Sequence, residues 1–81
     1  MSKDNINDEV IELHKRIGRN VKRLREEKKL SQKFLSLEIG QESTTIISQA
    51  ELGKGKHFNI EQLYKISKVL GVDICEFFKK Q

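Results

Sequence analysis

A chain of 81 residues with one cysteine, no proline and a net charge of +4 has room for one small hydrophobic core and one domain, residues 1–81. The lone Cys75 excludes an intrachain disulfide, and with His14 and His57 far apart in sequence no metal site is expected. There is no apolar run of about eighteen residues and no signal-peptide pattern, so the sequence predicts a soluble cytoplasmic protein without a membrane partner.

The first predicted element is a long helix. Ile6, Val10, Leu13, Ile17, Val21 and Leu24 recur at steps of three and four, one apolar stripe running from about residue 6 to residue 27. Charge divides along it. Residues 1 to 13 carry Lys3 against Asp4, Asp8, Glu9 and Glu12, whereas residues 15 to 33 carry nine Lys or Arg against Glu26 and Glu27. The simplest reading of any one of these cations is a solvated helix face. The stripe residues Ile6, Val10 and Leu13 admit three readings: packing on the chain's own C-terminal helix, pairing with a second subunit, or binding another protein.

Two short helices follow. Ser31 can cap a helix opening at Gln32, and Gly40 can take the left-handed conformation that ends one. Leu35 and Ile39 share its inner face, flanked by Phe34 and Leu37, with Ser36 small enough for close helix approach. After a polar turn at Gln41 to Ser43, in which Ser43 can cap, a helix is expected from about Thr44 to Leu52, stopped by Gly53. Ile47, Ala50 and Leu52 are its packing candidates. Thr44, Thr45, Ser48 and Gln49 occupy the other face, with donors, acceptors and methyl groups but no formal charge, as suits bonding to adenine or contact with thymine methyls. No Lys or Arg lies between Phe34 and Gly53, so affinity for phosphate has to come from flanking cations: Arg19, Lys22, Arg23, Lys28, Lys29, Lys33, Lys54 and Lys56. Residues 31–53 thus read as a helix-turn-helix reader of DNA.

The last third predicts two more helices. Asn59 can cap one running from Ile60 to about Leu70, with Leu63, Ile66, Ser67 and Leu70 inward and Gly71 at its end. Asp73 can cap a final helix carrying Ile74, Phe77 and Phe78, with Lys79 and Lys80 near its C-terminus. Adjacent Phe77 and Phe78 point in different directions, so one of them serves either a dimer interface or a lid over the chain's own core.

Ser31-Gln32 with Leu35, Gly40, the Ile47-Ser48 pair, Glu51-x-Gly53-Lys54, Leu63-x-x-Ile66 and Leu70-Gly71-Val72 resemble the Cro/cI-type, or XRE, helix-turn-helix family over roughly Ile17 to Phe78. The resemblance implies an all-α fold, a compact five-helix lambda-repressor-like DNA-binding domain, here with an N-terminal extension of helix one over residues 1–15. It implies base contacts from Gln32, Thr44, Thr45 and Gln49, with Gln32 also touching phosphate. It implies DNA backbone contacts from Ser43, Ile46, Ser48, Lys33, Lys54 and Lys56, and a structural ion pair between Arg25 and Glu51. The chain has one residue more than the family spacing between Gly40 and Glu51, which we place in the turn at Gln41 to Ser43. A second extra residue lies between Gly53 and Phe58, and Phe58 stands where the family commonly has proline.

The remaining residues have plain readings. Cys75 is expected as a small buried apolar residue rather than a redox thiol, His57 as exposed or touching phosphate, and Tyr64 as a helix-surface or core-edge residue. There is no Gly-rich phosphate loop, no His and carboxylate set at metal spacing and no nucleophile near a base, so an enzyme is not expected and no cofactor is implied. The expected function is a prokaryotic, sequence-specific transcriptional regulator, a homodimeric repressor or controller on a two-fold operator of double-stranded DNA. The alternative is an antitoxin or adaptor whose N-terminal helix binds a protein partner. Ile6, Val10, Leu13, Phe77 and Phe78 are the candidate dimer contacts.

Overall fold

Four α-helices and a short 3₁₀ helix follow one another, with no strand among the described residues. They are α1 (Lys3–Glu27), α2 (Gln32–Glu38), α3 (Thr45–Leu52) and α4 (Ile60–Leu70), closed by the 3₁₀ helix Ile74–Phe78. The computed structural model describes residues 3–80, with side chains from Ile6 onward. The first two residues of the expected N-terminal extension lie outside them.

Local chemistry sets most boundaries. The Ser31 hydroxyl accepts the Phe34 N–H at 2.9 Å and starts α2. At α4, Asn59 Oδ1 accepts the Gln62 N–H at 2.7 Å while Gln62 Oε1 accepts the Asn59 N–H at 2.9 Å, a reciprocal capping box. Gly71 ends that helix in the left-handed region at φ 67°. The end of α1 had no such signal. There Lys29 takes φ 59°, and the Leu30 N–H donates to the Arg25 carbonyl at 3.1 Å, a role more often given to glycine.

Two expected elements differ. α3 begins at Thr45 rather than Thr44, and the final segment is a single 3₁₀ helix in which the Asp73 side chain makes no cap. A segment of five residues forms too few hydrogen bonds to sustain an α-helix alone, and its conformation is set by what it packs on.

The core joins every element. Ile17, Val21 and Leu24 of α1 meet Leu35 and Ile39 of α2, Ile47 and Ala50 of α3, Leu63, Ile66 and Leu70 of α4, and Phe58 and Phe77. Phe77 is fully buried, so it is core and not a dimer contact, while Phe78 remains exposed. Leu13 packs on the edge of this cluster, but Ile6 and Val10 do not reach it. The reading in which these two pack on the chain's own C-terminal helix is therefore excluded. α1 projects beyond the body of the fold: its 25 residues span about 37 Å at 1.5 Å each, close to the molecule's 40 Å long axis.

Two residues of α1 fix how it packs. At Gly18 a Cβ would meet the Ala50 carbonyl carbon at 2.9 Å and Glu51 Cα at 3.3 Å, so only glycine lets α1 and α3 cross this closely. Asn20, fully buried within the apolar stripe, donates from Nδ2 to the Phe77 carbonyl at 2.8 Å and the Lys79 carbonyl at 2.9 Å. It holds the 3₁₀ helix against α1 by satisfying carbonyls that no helix continues.

Candidate nucleic-acid interface

α3 is a regular helix, and its faces follow from 100° per residue. Ile47, Ala50 and Glu51 are buried on one side. Thr45, Ser48, Gln49 and Leu52 fall within about 100° of each other on the opposite side. Leu52, expected in the core, is 60% exposed because it lies about 140° around the helix from Ile47. Glu51 takes the buried position instead.

Glu51 is held by three elements. Arg25 of α1 donates from Nε to Glu51 Oε2 at 2.8 Å and from Nη2 to Oε1 at 3.0 Å, and its Nη1 donates to the Leu30 carbonyl at 2.7 Å. Gln32, the first residue of α2, donates from Nε2 to Glu51 Oε1 at 2.9 Å. The hydrogen bond to Glu51 raises the Arg25 pKa above its ordinary value against the opposing effect of burial, so the guanidinium stays charged. This fork links the end of α1, the start of α2 and the inner face of α3, and so fixes the angle at which α3 shows its outer face. One of the two amide N–H donors of Gln32, expected to meet phosphate and a base edge, is taken up here.

The start of α3 rearranges the other expected contacts. Thr44 is the residue before the helix and makes no side-chain cap, so it does not sit on the face that Thr45 begins. The Ser43 hydroxyl donates to Thr45 Oγ1 at 3.1 Å and accepts the Thr45 N–H at 3.4 Å, the bond that a cap of a helix starting at Thr44 makes, although the helix itself starts at Thr45. Residues 41–44 are irregular and α3 runs uninterrupted from Thr45 to Leu52, as an extra residue placed in the turn requires. Ile46 is half-buried and packs on the core, which limits its approach to a phosphate. The Ser48 hydroxyl donates to the Thr45 carbonyl at 3.3 Å, and its side chain is half-exposed beside Gln49.

Six of the eight flanking cations form two groups. Lys33 on α2 and Lys54 and Lys56 in the loop after α3 are exposed, in segments that flank the uncharged outer face of α3. Gly53 and Gly55, at φ 70° and 84°, turn that loop. Arg19, Lys22 and Arg23 instead line a groove on α1 together with Glu26 and Glu27, and Arg23 pairs with Glu27 at 3.4 Å. That group is a solvated helix face.

Several plain readings change. His14 and His57, far apart in sequence, stack with ring centroids 3.9 Å apart and planes 21° from parallel, tying α1 to the loop before α4. Burial and the nearby His57 lower the His14 pKa. Cys75 is exposed, because the 3₁₀ helix buries Phe77 in its place. Tyr64 is on the surface, with Lys68 Nζ 5.1 Å from its ring centre. Gly18 and Asn20 were not singled out from the sequence, although a glycine in the first helix and an asparagine in register with Ile17 and Leu24 were the available signals.

A helix-turn-helix family model matches residues 21–77, well over half of the chain and spanning α2, α3 and α4. The chain belongs to the Cro/cI-type, or XRE, helix-turn-helix family. The match begins at Val21 in the last third of α1 and ends in the 3₁₀ helix, so the projecting part of α1 lies outside the family domain. No curated protein was found to match the chain. As a member of the XRE family the chain is a DNA-binding helix-turn-helix protein, with α2 and α3 as its paired helices. Among the described residues no helix is long and apolar enough to cross a membrane.

Proposed function

We propose that this XRE-family chain is a sequence-specific transcriptional regulator that acts as a homodimer on a two-fold operator and represses by occupying a promoter. The observation that supports it most is the outer face of α3: Thr45, Ser48 and Gln49 stand opposite a face locked by Glu51, Arg25 and Gln32. Side chains held at a fixed angle and carrying no charge discriminate bases rather than merely attract phosphate. Thr45 and Gln49 are the base-reading residues in this reading, with Thr44 and Gln32 at the margin of the face, and Ser43, Ile46, Ser48, Lys33, Lys54 and Lys56 against the backbone. Two copies would present their third helices to successive major grooves about 34 Å apart. Selection of bound duplexes from a random pool at about 150 mM salt tests this, since nonspecific attraction is already weak there. An enriched inverted repeat is expected; a pool left unenriched removes the reading.

A second reading, an antitoxin or adaptor that binds a protein through α1, draws on the exposure of Ile6 and Val10 in an acidic segment. If the full-length I6D/V10D variant keeps its oligomeric state and its DNA affinity, those residues serve another protein and this second reading gains.

A further inference from the structure

Ile6 and Val10 are 48% and 46% exposed on the projecting half of α1. On the same face one and two turns further along, Leu13 and Ile17 border a groove walled by Phe58, Ile60 and Phe78. Ile60 and Phe78 are themselves exposed. An apolar strip thus runs from the tip of α1 down onto the body of the fold, larger than the scattered apolar residues of an ordinary surface.

The spacing of the strip admits a second copy of itself. Ile6, Val10, Leu13 and Ile17 are separated by four, three and four residues, a sequence of steps that reads the same in both directions. A second α1 laid antiparallel therefore matches every layer: Val10 meets Leu13, and Ile6 of the second copy falls level with Ile17, at the mouth of the groove. Charge selects the same orientation. Glu9, Glu12 and Arg16 lie within about 60° of one another along one flank of the strip. A two-fold axis across the helices sets that flank against itself reversed, so Glu9 of each copy comes within about 3 Å of the level of Arg16 of the other, while the two Glu12 side chains lie near the two-fold axis. A parallel pairing would place two acidic ends side by side.

We infer that a second copy of this chain occupies the strip, with the two α1 helices crossing antiparallel so that each lays Ile6 into the groove formed by Leu13, Ile17, Phe58, Ile60 and Phe78 of the other. The inference rests on the homodimer proposed above and names its interface. Such a contact is isologous and closes at two copies, as a two-fold operator requires.

The test is a charge exchange in the full-length protein, E9R and R16E, followed by sedimentation at about 50 mM salt, where surface charge is little screened. Glu9 is exposed and Arg16 half-exposed, and unchanged helical circular dichroism checks that each variant folds. Each variant alone opposes like charges twice and is expected to dissociate about tenfold more readily than the wild-type dimer. An equimolar mixture is expected to recover wild-type affinity as a heterodimer, because both contacts are then of opposite sign. A wild-type dimer whose variants associate equally tightly, or whose mixture recovers nothing, overturns the antiparallel α1 interface and leaves the homodimer intact. A wild-type protein that stays monomeric, and selects only single half-sites from the random pool, overturns both.

Discussion

Gln49 presents an amide that both donates and accepts, the pattern that pairs with adenine in the major groove. Its replacement by alanine, or that of Thr45, is expected to cost about 1 to 3 kcal/mol on the selected duplex and to relax the preference at one base pair. Titrating each variant against cognate and scrambled duplexes checks this, and equal losses on the two would remove α3 as the reading element. Glu51 works through structure instead. Its side chain is 1% exposed and balances the Arg25 guanidinium, so Glu51→Ala leaves a buried cation unpaired and is expected to cost about 3 to 5 kcal/mol in urea unfolding. With its pKa raised, the Arg25 guanidinium gives up its share of this stability only in strong alkali, so it stays charged throughout the physiological range.

Between elements, the crossing of α1 and α3 depends on an absent side chain. Alanine is favoured over glycine inside a helix by up to about 1 kcal/mol, but at position 18 its Cβ would strike the backbone of Ala50. Backbone cannot give way as a flexible side chain can, so Gly18→Ala is expected to destabilise by about 1 to 3 kcal/mol despite its better propensity. A rise in the urea midpoint would show that the two helices can part without loss. The stacked His14 and His57 join α1 to the loop that carries Lys54 and Lys56. Because the folded state lowers the His14 pKa from 6.5, the unfolded chain binds protons more readily as pH falls through that value. Stability is therefore present above about pH 6.5 and is lost below it until the folded histidine is also protonated. Lys15 and Lys56 line the same recess. Thermal melts between about pH 7 and pH 5.5 are expected to show a falling midpoint that His14→Gln flattens, and an unchanged slope in the variant would assign the effect elsewhere.

For the whole molecule, α3 has eight residues and spans about 12 Å, enough to face a few base pairs and no more. One such reader buries little surface, so in the proposed homodimer a second copy and the cations beside α3 supply the remaining affinity. Lys54→Ala is expected to weaken binding to all sequences alike and to lower the slope of affinity against salt by about one unit per protomer. A loss confined to the cognate site would instead make Lys54 a base contact. In the proposed complex the acidic tip of α1 would be kept from DNA by its charge, while the exposed Lys33, Lys54 and Lys56 lie in segments beside α3.

The sequence by itself determined the helices whose ends carry short-range chemistry. Ser31, Gly40, Asn59 with Gln62, and Gly71 act through hydrogen bonds and dihedral preferences within four or five residues, so their effect is written beside them. The inward stripe of α4 and the lower half of the α1 stripe were legible for the same reason, since a period of 3.6 needs no knowledge of the partner. What a residue meets across the fold was not legible. Asn20 finds its carbonyls 57 and 59 residues away, and His14 meets His57. The choice between Phe77 and Phe78 was of the same kind. It fell to Phe77 when the 3₁₀ helix docked on Asn20, because packing against a distant element, and not local propensity, decides which of two adjacent aromatic rings leaves water.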